Sequence, residues 1–160
     1  MEPTRPHAAY RPPGPDLAVS EIMSPASTPL TASSQPPRPR TALIVDDFPS
    51  VRFYHAHLLE RAGFKCSVAT NGREALKMLQ KETVDLIVLD IVMPEMNGEE
   101  LIASLRASAA LARVPVLVIS TEPLRERLER KRTTTSGPVG FAQKPLMPGT
   151  IWAEIEGLFQ

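Results

Sequence analysis

The chain has 160 residues, 18 basic and 18 acidic side chains, and a sequence pI near 6.8. That length suffices for one domain with a real core, and the neutral balance leaves no electrostatic footprint for bulk nucleic-acid binding. A single cysteine, Cys66, excludes an internal disulfide framework and fits a cytoplasmic protein; no apolar run approaches the roughly 20 residues of a membrane span, and no secretory signal opens the chain.

Residues 1–40 hold ten of the seventeen prolines. Apolar residues are few there and no period of 2 or 3.6 is sustained, so burial cannot offset ordering entropy, and a disordered Pro-rich N-terminal tail is expected. Its PPRPR end is a candidate polyproline ligand or weak basic contact, and residues 17–23 a short helix induced by a partner. From Thr41 onward the texture changes. TALIVDD (41–47) reads as a strand. PSVRFYHAHLLERAG (49–63) reads as a helix with Val51, Tyr54, His55, Leu58, Leu59 and Ala62 on its apolar side, ending at Gly63. FKCSVAT (64–70) is a strand, with Cys66 expected as a small buried hydrophobe. NGREALKMLQKE (71–82) is a helix with Ala75, Leu76 and Leu79 inward, VDLIVLD (84–90) a strand, GEELIASLRAS (98–108) a helix and VPVLVIS (114–120) a strand. EPLRERLERKR (122–132) reads as a short charged helix, VGFAQ (139–143) as a strand, and PGTIWAEIEGLF (148–159) as a last helix with Ile151, Ile155 and Leu158 inward.

Strands this uniformly apolar are covered on both faces, which argues a parallel sheet with helices on either side. Right-handed crossovers then give an α/β doubly wound sheet, and for five strands a flavodoxin-like order, 2-1-3-4-5. In such sheets the ligand site lies beyond the carboxyl ends of the strands at the topological switch point. Asp46 and Asp47 follow the first apolar run, Asp90 the third, Ser120 and Thr121 the fourth, and Lys144-Pro145 the fifth. Three carboxylates crowded together need a counter-charge. Mg²⁺ suits oxygen ligands, and Lys144 adds a second positive charge. A carboxylate nucleophile, a metal and two groups able to hold phosphoryl oxygens make up what phosphoryl transfer requires. Taken singly, each residue has a plainer use, the Asp46-Asp47 pair as a cap for the helix that Pro49 begins, for example.

LIVDDFPSVR, LIVLDIVMPEMNG, VPVLVIST and FAQKPL resemble the receiver domain of two-component response regulators, and the DDF-x-x-x-R opening is most similar to CheY-like single-domain regulators of bacterial chemotaxis. The resemblance covers residues 41–160. It implies that Asp90 is the phosphoacceptor, that Asp47 and Asp90 bind Mg²⁺ directly with Asp46 acting through water, and that the Val92 carbonyl completes the ligand set. It implies further that Ser120 hydrogen-bonds the phosphoryl group, that Lys144 pairs with it from a cis Lys144-Pro145 bond, and that Phe141 is the aromatic switch residue, following Ser120 inward. A histidine kinase or phosphotransfer protein is the implied donor. The implied output is a protein contact on the face made by the 122–132 helix, the fifth strand and the last helix, with motility as the process.

Val92, two residues past Asp90, cannot orient an attacking water, so slow self-hydrolysis is expected, with Glu122 a candidate compensator. The 122–132 segment departs from the family pattern: only Leu124 and Leu128 are apolar, and its arginines read as a solvated face or a basic output surface. The chain ends after its last helix, so a stand-alone regulator with an unidentified output partner is expected, or else a phosphate sink or relay. A constitutive pseudo-receiver would have lost a site residue, and none is lost. An aspartyl-nucleophile hydrolase would need a general acid where Val92 stands, and a cap domain besides.

Overall fold

β1 (Thr41–Val45), β2 (Lys65–Ala69), β3 (Leu86–Asp90), β4 (Val116–Ser120) and β5 (Val139–Gln143) are five residues each. They pair in parallel in the order β2-β1-β3-β4-β5, the order the apolar runs predict. The computed structural model describes residues 38–121, 126 and 137–160. The predicted tail helix at 17–23 and, apart from Glu126, the charged segment at 122–132 lie outside the described residues.

The helices are α1 (Pro49–Arg61), α2 (Gly72–Leu79), α3 (Gly98–Ala107) and α4 (Pro148–Leu158). Because successive side chains of a strand point to opposite faces, the buried strands feed two cores. Leu43, Val45, Ile87, Leu89, Val116 and Val118 pack with Ala75 and Leu79 of α2 and Leu101 and Leu105 of α3. Ala42, Ile44, Leu86, Val88, Leu117 and Ile119 pack with Leu59 of α1 and Ile151 and Ile155 of α4. Burying each of these large aliphatic side chains contributes about 1.5–3 kcal/mol, and this holds the strand ends side by side.

Three local expectations are corrected. The apolar residues of β2 are not covered on both faces: Val68 is exposed. Cys66 is half-buried rather than buried, its thiol donating weakly to the Ala56 carbonyl at 3.8 Å, and burial, then Glu60, pushes it up to about 11. α1 presents His55 and Leu59 to the core, whereas Tyr54 and Ala62 are exposed. The apolar side read from the sequence was too wide, because a tyrosine ring can lie along the surface with its hydroxyl elsewhere engaged. His55 and His57 do diverge as two helix residues at that spacing should: His55 is buried, and His57 is exposed and stacked on Phe53 at 6.4 Å.

Arg38, placed by the sequence reading in the tail, donates two hydrogen bonds to Asp85 at 2.7 and 3.0 Å. Asp85 also accepts from the Thr41 N–H, which fixes where β1 begins. Trp152 on α4 is partly exposed.

Candidate functional site

Strand register brings the chemistry together. Val45 stands opposite Leu89, so Asp46 and Asp47 leave β1 beside Asp90 at the tip of β3. Asp90 stands opposite Ile119, which puts Ser120 one residue further along β4, and Ser120 stands opposite Gln143, which puts Lys144 just beyond β5. β1 and β3 flank the point where the strand order reverses, the place a ligand site is expected in such a sheet.

One carboxylate oxygen from each of Asp46, Asp47 and Asp90 lies within 4.8 Å of the others. Lys144 Nζ is 3.0 Å from Asp90 Oδ1 and 3.8 Å from Asp46 Oδ2. Asp90 is 5% exposed, and its Oδ1 also accepts the Ile91 N–H at 2.8 Å. Ser120 is buried, and its Oγ has no hydrogen-bond partner among the described residues; the same holds for Asp47 Oδ1. The Lys144-Pro145 bond is cis. Burial pushes the Asp46 carboxyl up and the Asp90 and Asp47 charges add to this, while the Phe48 N–H and Lys144 oppose it. One lysine thus leaves the acidic cluster short of positive charge.

The donor set fits magnesium: three carboxylates at shared-ligand spacing, one with a buried oxygen that no protein donor satisfies, all of the hard oxygen type the ion prefers. Use of the acidic pair as a helix cap is not what the structure has. The N-cap of α1 is Phe48, with no side-chain cap bond; Asp46 Oδ1 instead accepts the Phe48 N–H at 2.9 Å. Arg52 completes the arrangement by donating to the Asp46 carbonyl at 2.7 Å, which ties the end of β1 to the first turns of α1.

The loop after Asp90 turns at Glu95, in the left-handed region at φ 65°, and re-enters at Asn97, whose side chain accepts the Glu100 N–H while Glu100 accepts the Asn97 N–H, a reciprocal cap for α3. Gly98 lies against β3: a Cβ there would meet the Asp90 carbonyl oxygen at 2.6 Å. Val92 is 64% exposed.

Phe141, the switch residue the resemblance implies, lies in β5. It is 5% exposed and packed in the core beneath α2 and α3. With no hydroxyl to desolvate, its burial contributes about 2 kcal/mol.

The sequence reading missed Tyr54, whose hydroxyl donates to the Leu146 carbonyl at 3.0 Å across 92 residues of chain. It also missed the lining of the adjoining cavity of about 550 Å³, formed by Ser50, Val51, Tyr54 and His55 on α1 with Lys144 to Met147. No spacing rule points to contacts of that range.

Three carboxylates, a hydroxyl and an amine thus meet at the switch point of a doubly wound α/β domain, an arrangement suited to a divalent cation. The profile of the response regulator receiver domain matches residues 42–156, and the chain belongs to that family. It is 35% identical over 119 residues to the chemotaxis protein CheY-3 of Vibrio cholerae serotype O1, covering 74% of this chain and 90% of that one. Among solved structures it resembles chemotaxis protein CheY4 of Vibrio cholerae, with TM-score 0.67 and 32% identity over 75% of this chain and 98% of that one. It also resembles the signal receiver domain of a histidine kinase from Syntrophus aciditrophicus, with TM-score 0.65 and 29% identity over 74% and 89% of the two chains. Receiver domains are signalling modules of two-component systems rather than classical enzymes. No helix among the described residues is long and apolar enough to cross a membrane.

Proposed function

We propose that the chain is a cytoplasmic phosphoacceptor regulator that takes a phosphoryl group on Asp90 from the phosphohistidine of a histidine kinase or phosphotransfer protein. The observation that carries this reading is the convergence of Asp46, Asp47 and Asp90 within 4.8 Å of one another with Lys144 Nζ 3.0 Å from Asp90. Asp47 and Asp90 would hold a magnesium ion, with Asp46 and the Val92 carbonyl as further protein contributors, and the ion would neutralise charge on the transferring oxygens.

Lys144 and the Ile91 N–H hold Asp90 by Oδ1, so Oδ2 is presented as the nucleophile. Oδ2 forms a bond to phosphorus as the bond to the donor imidazole nitrogen breaks; the nitrogen departs with the electron pair. Lys144 offsets the charge that develops on the phosphoryl oxygens, and the unpartnered Ser120 Oγ donates to one of them. Output is a protein contact on the face of β5 and α4, to which the sequence resemblance adds residues 122–132. Similarity to chemotaxis proteins favours motility as the process. Ser120 shifts toward the new phosphoryl oxygens and Phe141 follows, a local charge event biasing a two-state element.

The test is incubation with a small acyl phosphate and Mg²⁺, read by intact mass. A single phosphoryl adduct is expected on the wild type and none on Asp90→Asn. An adduct on both proteins, or one independent of Mg²⁺, refutes the assignment. Partner capture with and without beryllofluoride then separates a switched contact from a constitutive module, which would capture equally in both.

A further inference from the structure

We propose that Tyr54 is a positioning residue for Lys144: its hydroxyl latches the loop that carries the lysine to α1. The inference rests on the phosphoacceptor reading above and concerns what keeps the amine in place.

Lys144 stands just past the end of β5, the edge strand that pairs only with β4. Its N–H donates to the Ser120 carbonyl at 2.9 Å, the last backbone tie to the sheet. Pro145 follows and has no N–H to give. The next ordered backbone bonds come where the Thr150 and Ile151 N–H groups meet the Met147 carbonyl at the start of α4. Apart from the ion pairs of the Lys144 amine itself, the loop between these points is held by the Leu146 side chain, buried with α1 and α4, and by the Leu146 carbonyl, which accepts the Tyr54 hydroxyl at 3.0 Å. Among the described residues that is the one side-chain hydrogen bond to the 144–147 backbone.

The cavity of about 550 Å³ between α1 and this loop leaves the loop room to move, and Tyr54 bridges its rim. Tyr54 is 41% exposed, so water can satisfy its hydroxyl just as well; the bond is not enforced by burial, and what it adds is the placement of the loop. His55, the next residue, lines the same cavity, and burial followed by the Lys144 charge lowers its imidazole to about 4, so His55 adds no positive charge beside Lys144 at neutral pH.

The test is a double-mutant cycle on phosphorylation by a small acyl phosphate at saturating Mg²⁺, comparing wild type, Tyr54→Phe, Lys144→Ala and the double variant. Tyr54→Phe keeps the ring and loses the latch. It should slow the limiting rate by roughly three- to tenfold, the size of one such hydrogen bond, with the half-saturating Mg²⁺ concentration unchanged. In the Lys144→Ala background it should do nothing. Where that background is too slow to time, beryllofluoride affinity supplies the same cycle. A Tyr54→Phe rate equal to wild type, or an equal slowing with and without Lys144, overturns the latch. Absence of any adduct on the wild type overturns the phosphoacceptor reading, and the latch with it.

Discussion

His55 makes the fold sensitive to acid. Its imidazole has 3% of its surface exposed, and burial first, then the Lys144 charge, lowers it from 6.5 to about 4. Between those values the unfolded chain binds a proton that the folded chain refuses, so stability falls as the pH drops from about 6.5 to about 4 and is untouched by this group above that window. The full loss is about 3 kcal/mol. His55→Leu, close in volume, should flatten the difference in urea-unfolding free energy between pH 7 and pH 5. Asp46, whose raised carboxyl acts in the opposite sense, is present in both proteins and cancels. Equal pH dependence in the two would sink the argument. At Val92 the expected change is kinetic: its exposed alkyl group can hold no water, so Val92→Asn should shorten the lifetime of the phosphorylated state roughly tenfold by orienting the attacking water, measured as decay of the mass adduct. Asp46, Asp47, Asp90, Ser120 and Lys144 were readable in the chain because each lies within two residues of the end of an apolar run, and parallel pairing turns "after a run" into "at one end of the sheet". Tyr54 and Arg52 were not readable as contacts. Both sit on a helix whose rotation the pattern fixes only loosely, and their acceptors are the backbone carbonyls of Leu146 and Asp46, groups that every residue carries.

At the scale of elements, the start of α3 and the end of β3 share one constraint. Gly98 donates its N–H to the Ile91 carbonyl at 3.0 Å, and a Cβ on it would meet the Asp90 carbonyl oxygen at 2.6 Å and Ile91 Cα at 2.9 Å. Both obstacles are backbone, so neither can swing aside. Gly98→Ala should cost about 2–4 kcal/mol in unfolding free energy and should also slow phosphorylation, because relief of the clash shifts the Asp90–Ile91 peptide that aims the carboxylate. A fully stable, normally phosphorylated Gly98→Ala protein would show that α3 slides freely past β3. The sequence marks Asn97-Gly98 as loop punctuation before a helix, and the structure makes the asparagine the cap, yet close approach of the glycine to Asp90 depends on the tilt of α3, which no local pattern encodes. The edge position of β2 follows from the predicted strand order; its incomplete cover escaped for a related reason. β2 carries Lys65 and Ser67 among its apolar residues, a mixed pattern that belongs to a strand with one open side, while the wholly buried β3 and β4 show the continuous apolar runs of central strands.

For the whole molecule, the acidic cluster is a standing cost of the fold that binding is built to relieve. Asp46 and Asp90 are buried, their like charges add to the burial that raises the Asp46 carboxyl, and Lys144 is the one cation that the described residues bring into ionic contact with the pair. Two consequences of opposite sign follow. Without a divalent cation, Asp47→Asn removes one of three neighbouring charges and should raise the thermal unfolding midpoint above that of the wild type, by a few degrees for about 1 kcal/mol. With Mg²⁺ at about one hundred times its dissociation constant, the wild type should gain about 2.7 kcal/mol by mass action, and Asp47→Asn, lacking a direct ligand, should gain far less. The order of the two midpoints therefore inverts when the ion is added. A calorimetric scan of both proteins in chelator and in excess Mg²⁺ reads this directly, without a phosphodonor or a partner. If Mg²⁺ raised both midpoints equally, the ion would be binding elsewhere on the surface. If Asp47→Asn were the less stable protein in chelator, the three carboxylates would not be in mutual repulsion, and the electrostatic basis for a metal between β1 and β3 would be lost.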